Sequence, residues 1–246
     1  VKTGKNPDIT LDIAGKNLDL GALAKEISGA ASLSVSGKAD CSYKGRTAGG
    51  KNKGNGVIAS SSLNIGGLRI TSFKYPFTLE GDNLRGINAS LAFYGGKVTG
   101  NGTPNLKTLK FSHSADFSGV DVNSALQAFT GGLGGKVTGK AKGSLQASGT
   151  FIPQYSLAGK GSLSVSAGAV TGFRNADIAA RLYGTTGIRY ARTSIPFRLE
   201  TGRIILEKGS RADAPGNDPI YKFLAAQGSV GPRGALNLNC AGNINM

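Results

Sequence analysis

The 246 residues contain no tryptophan, one histidine, one methionine and two cysteines. With His113 as the sole imidazole and no clustered Cys, Asp or Glu, the donor set of a zinc site is missing. Cys41 and Cys240 lie 199 positions apart, without metal or redox spacing. They read as two isolated, half-buried thiols, with a disulfide in an oxidising compartment left open. Carboxylates are few, 14 against 29 Lys and Arg, and spread along the chain, so no acid/base pair suggests itself. Gly131 to Gly135 lacks the Gly-Lys-Ser/Thr ending of a phosphate loop and follows a helical segment rather than a strand. No apolar run reaches the 18 residues of a spanning helix. Enzyme is therefore the least supported class, and no catalytic residue, metal or cofactor is assigned.

Glycine is abundant instead: 39 residues, about twice average usage, beside only 8 prolines. No G-X-Y period is present, which excludes collagen, and a hydrophobic fraction of 39% with regular alternation argues against disorder. Dispersed glycine between short alternating runs suits the turns, bulges and bends of a sheet protein. The formal charge of +15 attracts polyanions, whether lipid headgroups, lipopolysaccharide or nucleic acid. Its basic residues are scattered singly, as on an outer face or rim, and equally serve to keep an edge-rich sheet soluble. No basic-aromatic motif of an RNA-binding sheet occurs among 7 Tyr and 10 Phe, so nucleic acid is not expected. The chain opens at Val1 without a methionine or signal peptide. It reads as a mature or excised piece, with any membrane anchor outside it.

Strand periodicity dominates. Ile9 to Ile13, Ser32 to Ser36, and Ile87, Ala89, Leu91 and Phe93 step by two. So do Leu109, Phe111, His113, Ala115 and Phe117, then Leu163 with Val165, and Leu236 with Leu238 and Cys240. Val57, Ala59 and Ser61 lead towards Leu63 and Ile65 in one phase. Each run has one apolar and one small polar face, as in an antiparallel sheet with one side wet. His113 sits in the apolar phase, where a partnered or groove-facing role outweighs that of a general base. Three short helices are expected: Asp19 to Lys25 and Asp121 to Phe129, each opened by an aspartate cap, and Pro219 to Gln227.

The chain also repeats. Val35, Gly37, Lys38, Ala39 and Ser42 recur 102 positions on as Val137, Gly139, Lys140, Ala141 and Ser144, and the capped helices keep that offset. Pro76-Phe77-Thr78-Leu79-Glu80 echoes Pro196-Phe197-Arg198-Leu199-Glu200 at 120, which implies an insertion near Tyr183 to Arg192. The expected organisation is two copies, 1–102 and 103–246, the second carrying the insertion and a C-terminal section, or one continuous unit.

Leu91-Ala92-Phe93-Tyr94-Gly95-Gly96-Lys97-Val98-Thr99-Gly100, with its Tyr-Gly-Gly-Lys turn, resembles segments of the AsmA-like family. So does Gly119-Val120-Asp121-Val122 with its helix, followed by the strand opening at Gly135 to Gly149. The section from Ile195-Pro196-Phe197 through Gly202-Arg203-Ile204-Ile205 to Val230 is similar to the family's C-terminal portions. The resemblance covers most of the chain, through glycine-rich motifs. It implies an all-β, extended, curved and mostly antiparallel sheet, a half-pipe with two or three short helices. It further implies a periplasmic segment, anchored to the inner membrane from outside this chain. Such a segment carries phospholipid towards the outer membrane and meets membrane proteins at either end.

On that reading the groove is lined by Ile9, Leu11, Leu33, Val35, Ile87, Leu91, Phe93, Phe111, Phe117, Leu163, Val165, Phe197, Leu199, Leu236 and Leu238. Lysine and arginine at the rim would meet phosphate headgroups. Periodicity alone equally fits a closed core, as in a structural or adhesin-like β-protein binding polyanions through a basic surface. An outer-membrane barrel fragment ranks third, because the runs are short and serine-faced.

Overall fold

Alternating apolar and small polar residues favour extended backbone, because successive side chains of a strand then fall on opposite faces. The computed structural model describes residues 8–26, 34–130, 135–150, 156–231 and 235–245. The first copy comprises β1 (Ile9–Asp19), α1 (Leu20–Glu26), β2 (Val35–Ala48), β3 (Lys51–Ile65), β4 (Leu68–Glu80), β5 (Asn83–Phe93) and β6 (Gly96–Gly102). The second opens with β7 (Lys110–Asp121), α2 (Val122–Thr130), β8 (Lys136–Val137), β9 (Lys140–Thr150), β10 (Ser156–Thr171), α3 (Arg174–Leu182) and β11 (Ile188–Glu200). It ends in β12 (Arg203–Leu206), β13 (Arg211–Asp213), β14 (Tyr221–Val230) and β15 (Leu236–Ile244). With 71% strand and 10% helix the fold is all-β. The strands form one antiparallel sheet that does not close into a barrel. Its order is β1 to β7 in sequence, then β9, β10, β11, β12, β14 and β13, with β15 paired to β14 and β8 to β10.

Turn chemistry fixes the hairpins. Gly49-Gly50, Gly66-Gly67 and Tyr94-Gly95 all have positive φ, the geometry whose twist matches flanking antiparallel strands. Two spacings recur: β4 and β11 are displaced by 120 residues at both ends, and β1 ends 102 residues before β7. The inserted stretch is 172–187, between β10 and β11, and contains α3; in the first copy Gly66-Gly67 makes that connection. Chain contacts divide the molecule into two compact units. One comprises Val1–Phe93, Lys97–Ala115 and Ser148–Ser156; the other comprises Tyr94–Gly96, Asp116–Ala147 and Leu157–Met246.

Both aspartate caps form. Asp19 Oδ1 accepts from Ala22 N at 3.0 Å, and Asp121 Oδ1 from Ser124 N at 2.9 Å. The third helix expected, Pro219 to Gln227, is instead largely β14. Its residues pair with β12, β13 and β15, so the ladder overrides a helix-like spacing of Ile220, Phe223 and Leu224. The third helix observed is α3.

Bulges interrupt the alternation. In the first unit Asn17, Ser72 and Asn88 adopt positive φ, and the β2–β3 register shifts between Gly37 and Asp40. These breaks are neighbours across the strands: Asn17 N donates to Asp40 Oδ1 at 2.8 Å, Asp40 faces Ala59, Ala59 faces Lys74, and Lys74 faces Ser90. Ser60 Oγ donates to the Lys38 carbonyl at 2.5 Å at this disturbed point of the ladder, with the Ser62 carbonyl 3.1 Å away. The consequence differs from a single unbroken phase. Ile58, not Val57, shares a face with Leu63 and Ile65.

Candidate functional site

In the first unit the register gathers apolar residues on one face. Leu11 faces Gly45, Ile13 faces Tyr43, Val35 faces Ile65, Leu63 faces Ile70, and Ile70 faces Phe93. Ile9 lies in the same phase of β1. Leu91 is two residues from Phe93 in β5 and so shares its face. Phe111 occupies the half-buried phase of β7 with His113 and Ala115. Ile87 parts from this set: Asn88 inserts a bulge between it and Leu91, and Gly86 beside it faces Phe77. Ile87 therefore points to the opposite, polar face and stays 41% exposed. Leu33 lies outside the described residues.

In the second unit two cross-strand rows connect most of the expected residues. Gly161, Phe197, Leu206, Gly228 and Leu238 are successive partners across β10, β11, β12, β14 and β15. Gly159, Leu199, Ile204, Val230 and Leu236 form the adjacent row. Leu163 faces Ile195 in the phase of Gly161. Val165, in a gap of the β10–β11 ladder, is buried, and its amide donates to Thr193 Oγ1 at 2.9 Å. Phe117 and Leu163 also line an open depression of about 420 Å³ with Ser118, Lys142, Gly143, Ser162, Ser164 and Ser194.

Glycine has a role on this face that composition does not disclose. A side chain at Gly56 would meet the Phe77 ring at 2.6 Å, at Gly143 the Phe117 ring at 2.7 Å, and at Gly161 the Phe197 ring at 2.5 Å. The rings of Tyr75 and His113 stand in the same relation to Gly86 and Gly102. Aromatic rings thus lie over strand glycines, covering backbone that lacks side chains. Tyr43 and Phe77 stack at 6.3 Å between centroids, and Phe73 and Tyr75 at 6.2 Å. Tyr43, Tyr75 and Phe77 belong to the face yet were not among the residues expected from periodicity. Phe77 was visible in the Pro-Phe-x-Leu-Glu echo, but its placement over Gly56 depends on a register that sequence does not specify.

The face is apolar and only partly buried. Among the described residues no large side chain is fully buried, while Ile9 and Ile13 remain 44% and 51% exposed. Burial without charge partners lowers the His113 pKa and raises those of Tyr75 and Tyr190. Burial, with Asp218 and Asp213 adding repulsion, pushes Tyr221 up to about 12. Tyr190 Oη donates to the Thr138 carbonyl and Tyr221 Oη to that of Arg189, at 2.6 Å for the latter. These phenols are structural ties. Among the described residues no group of three metal-ligating side chains occurs.

The other face is polar and carries the charge. Arg46, Lys53, Glu80 and Asn83 are partners in one row, and Lys44, Asn55, Thr78 and Arg85 in the next. Exposed ion pairs Lys44–Asp12 (3.0 Å) and Arg46–Asp8 tie β2 to the β1 side. Such exposed pairs contribute little stability. Cys41 is half-buried and Cys240 exposed, and both are free thiols. In comparisons with known proteins, no family model, curated protein or solved structure matches the chain.

Proposed function

We propose that the apolar sheet face holds phospholipid acyl chains. The chain would then be a segment of an AsmA-like, periplasm-crossing lipid conduit, serving transport between the inner and outer membranes. The observation that carries this reading is continuity: apolar residues meet partner to partner from strand to strand, with side chains such as Ile9, Ile13 and Ile204 left more than 40% exposed. Each acyl methylene withdrawn from water contributes about 0.8 kcal/mol. A surface paved by Leu, Ile and flat rings offers that gain at many equivalent positions, so a chain can bind without a shaped pocket and move along it. Membrane proteins at the ends of the conduit would hand lipid on and off.

The closed-core alternative needs large side chains interdigitating between layers. The exposure of Ile9 and Ile13 on the apolar face disfavours it.

Mass spectrometry of organic extracts from protein purified without detergent tests the proposal. Phospholipid is expected at near-stoichiometric level, and the double substitution Leu91→Asp with Phe93→Asp should remove most of it while circular dichroism still reports sheet. Equal lipid in that variant, or lipid-free wild-type protein, would sink the groove assignment.

A further inference from the structure

Helix α3 has its faces arranged the wrong way round for a helix that serves only the core. Its inner side is made of small residues. Ala180 has no exposed surface and packs on Ile220 and Tyr221, with Ile188 and Ala214 beside them. Asp177 Oδ1, also on the inner side, accepts from Gly172 N at 3.0 Å. The large apolar residues face outward instead: Ile178 is 50% exposed and Leu182 79%. Arg174 and Arg181 are exposed too. At about 100° per residue, Arg174, Ile178, Arg181 and Leu182 fall within roughly a third of the helix circumference. Tyr183, the C-cap residue, lies off this strip. Its hydroxyl donates to the Asn245 carbonyl at 3.0 Å, setting the helix end against the end of β15, where Ile244 is 59% exposed.

The geometry points to α3 as an interfacial helix that seats this unit on an anionic lipid bilayer. Two large aliphatic side chains held outward by a fixed inner face would enter the acyl boundary, while the two arginines on one flank of them meet lipid phosphates. Among the described residues neither arginine forms an ion pair. The chain's charge of +15 adds long-range attraction to a negative surface. A protein partner could also cover Ile178 and Leu182. Arginines on the same arc as the apolar residues, rather than on the opposite side, favour phosphate-bearing lipid. The helix is furthermore an addition to the repeat, since the first copy makes the same connection with Gly66-Gly67. This inference stands apart from whether the sheet face holds acyl chains.

Because the chain has no tryptophan, Leu182→Trp installs a single reporter. Its emission should shift to the blue on adding vesicles of phosphatidylcholine with phosphatidylglycerol, and be quenched by brominated acyl chains. Co-sedimentation of the wild-type chain should require the anionic lipid. Ile178→Ser with Leu182→Ser should weaken it about tenfold or more, as expected from withdrawing two large apolar side chains. Arg174→Gln with Arg181→Gln should abolish the preference for phosphatidylglycerol. All four positions are exposed, so unchanged thermal melting is expected as a control. Unaltered vesicle binding by the serine variant, or no emission shift, overturns the proposal; failure of the wild type to bind vesicles also overturns it and leaves the strip to a protein partner. Lipid extracted from the serine variant should match wild type, and the Leu91→Asp, Phe93→Asp variant should still bind vesicles. The two readings therefore fail separately.

Discussion

Gly56 is buried in β3 because the ring of Phe77 lies where its side chain would be. Its φ is not in the left-handed region, so the backbone itself would accept alanine; the obstruction is the ring at 2.6 Å and the nearby Ser42 carbonyl. Gly56→Ala must displace Phe77, and overpacking of this kind costs about 1–3 kcal/mol. A lower urea midpoint is expected, with Gly56→Ala and Phe77→Ala less than additive because they disturb one contact. An unchanged midpoint would mean the ring does not rest on the glycine. His113 lies against Phe111, 5.7 Å between ring centroids, and burial lowers its pKa. The fold prefers the neutral ring, so in acid the unfolded chain binds the extra proton. Stability is therefore full above the unfolded value of about 6.5 and falls as pH drops through it towards the lower folded value. The urea midpoint should fall between about pH 7.5 and about pH 5.5, and His113→Phe should flatten that slope. A slope that survives the substitution assigns the effect elsewhere.

Elements were legible where a local signal sufficed. Asp19 and Asp121 announce α1 and α2 because a carboxylate three residues ahead of an orphan amide is a local event. Parts of β1, β2, β3 and β5 followed from period two. What escaped depends on partners far away in sequence. Ile220, Phe223 and Leu224 have helical spacing, but β14 is decided by ladders to β12, β13 and β15. Arg174 to Leu182 was not singled out because its inner side is made of small residues such as Ala180, while its large apolar residues, Ile178 and Leu182, stand beside arginines. Bulges were equally hidden. Asn88 is an ordinary polar residue in an alternating run, yet its positive φ sends Ile87 to the polar face while Leu91 and Phe93 stay on the apolar one. The change of offset from 102 to 120 was readable; that the longer connection is 172–187 became fixed only when β4 and β11 could be aligned strand to strand.

At the scale of the molecule, the unusual quantity is how little is fully buried. Ala39, Leu63 and Phe77 in the first unit, and Val165, Tyr190, Ile220 and Tyr221 in the second, are nearly so, but among the described residues no large side chain is completely enclosed. A sheet stabilised on one face by rings over glycine, cross-strand pairs and backbone ladders gains less from apolar burial than a two-layer protein of equal length. Heat capacity measures that difference directly, since it follows apolar area exposed on unfolding. A closed-core protein of 246 residues would show a change of about 3–4 kcal/mol/K. Calorimetry of delipidated protein should give a value clearly below this. Phospholipid, by binding the folded sheet and not the unfolded chain, should raise Tm in proportion to the logarithm of its excess over Kd. A heat capacity at the closed-core value with a Tm indifferent to lipid would mean that the apolar face is already covered, by this chain or another copy, and that acyl chains have no surface left to occupy.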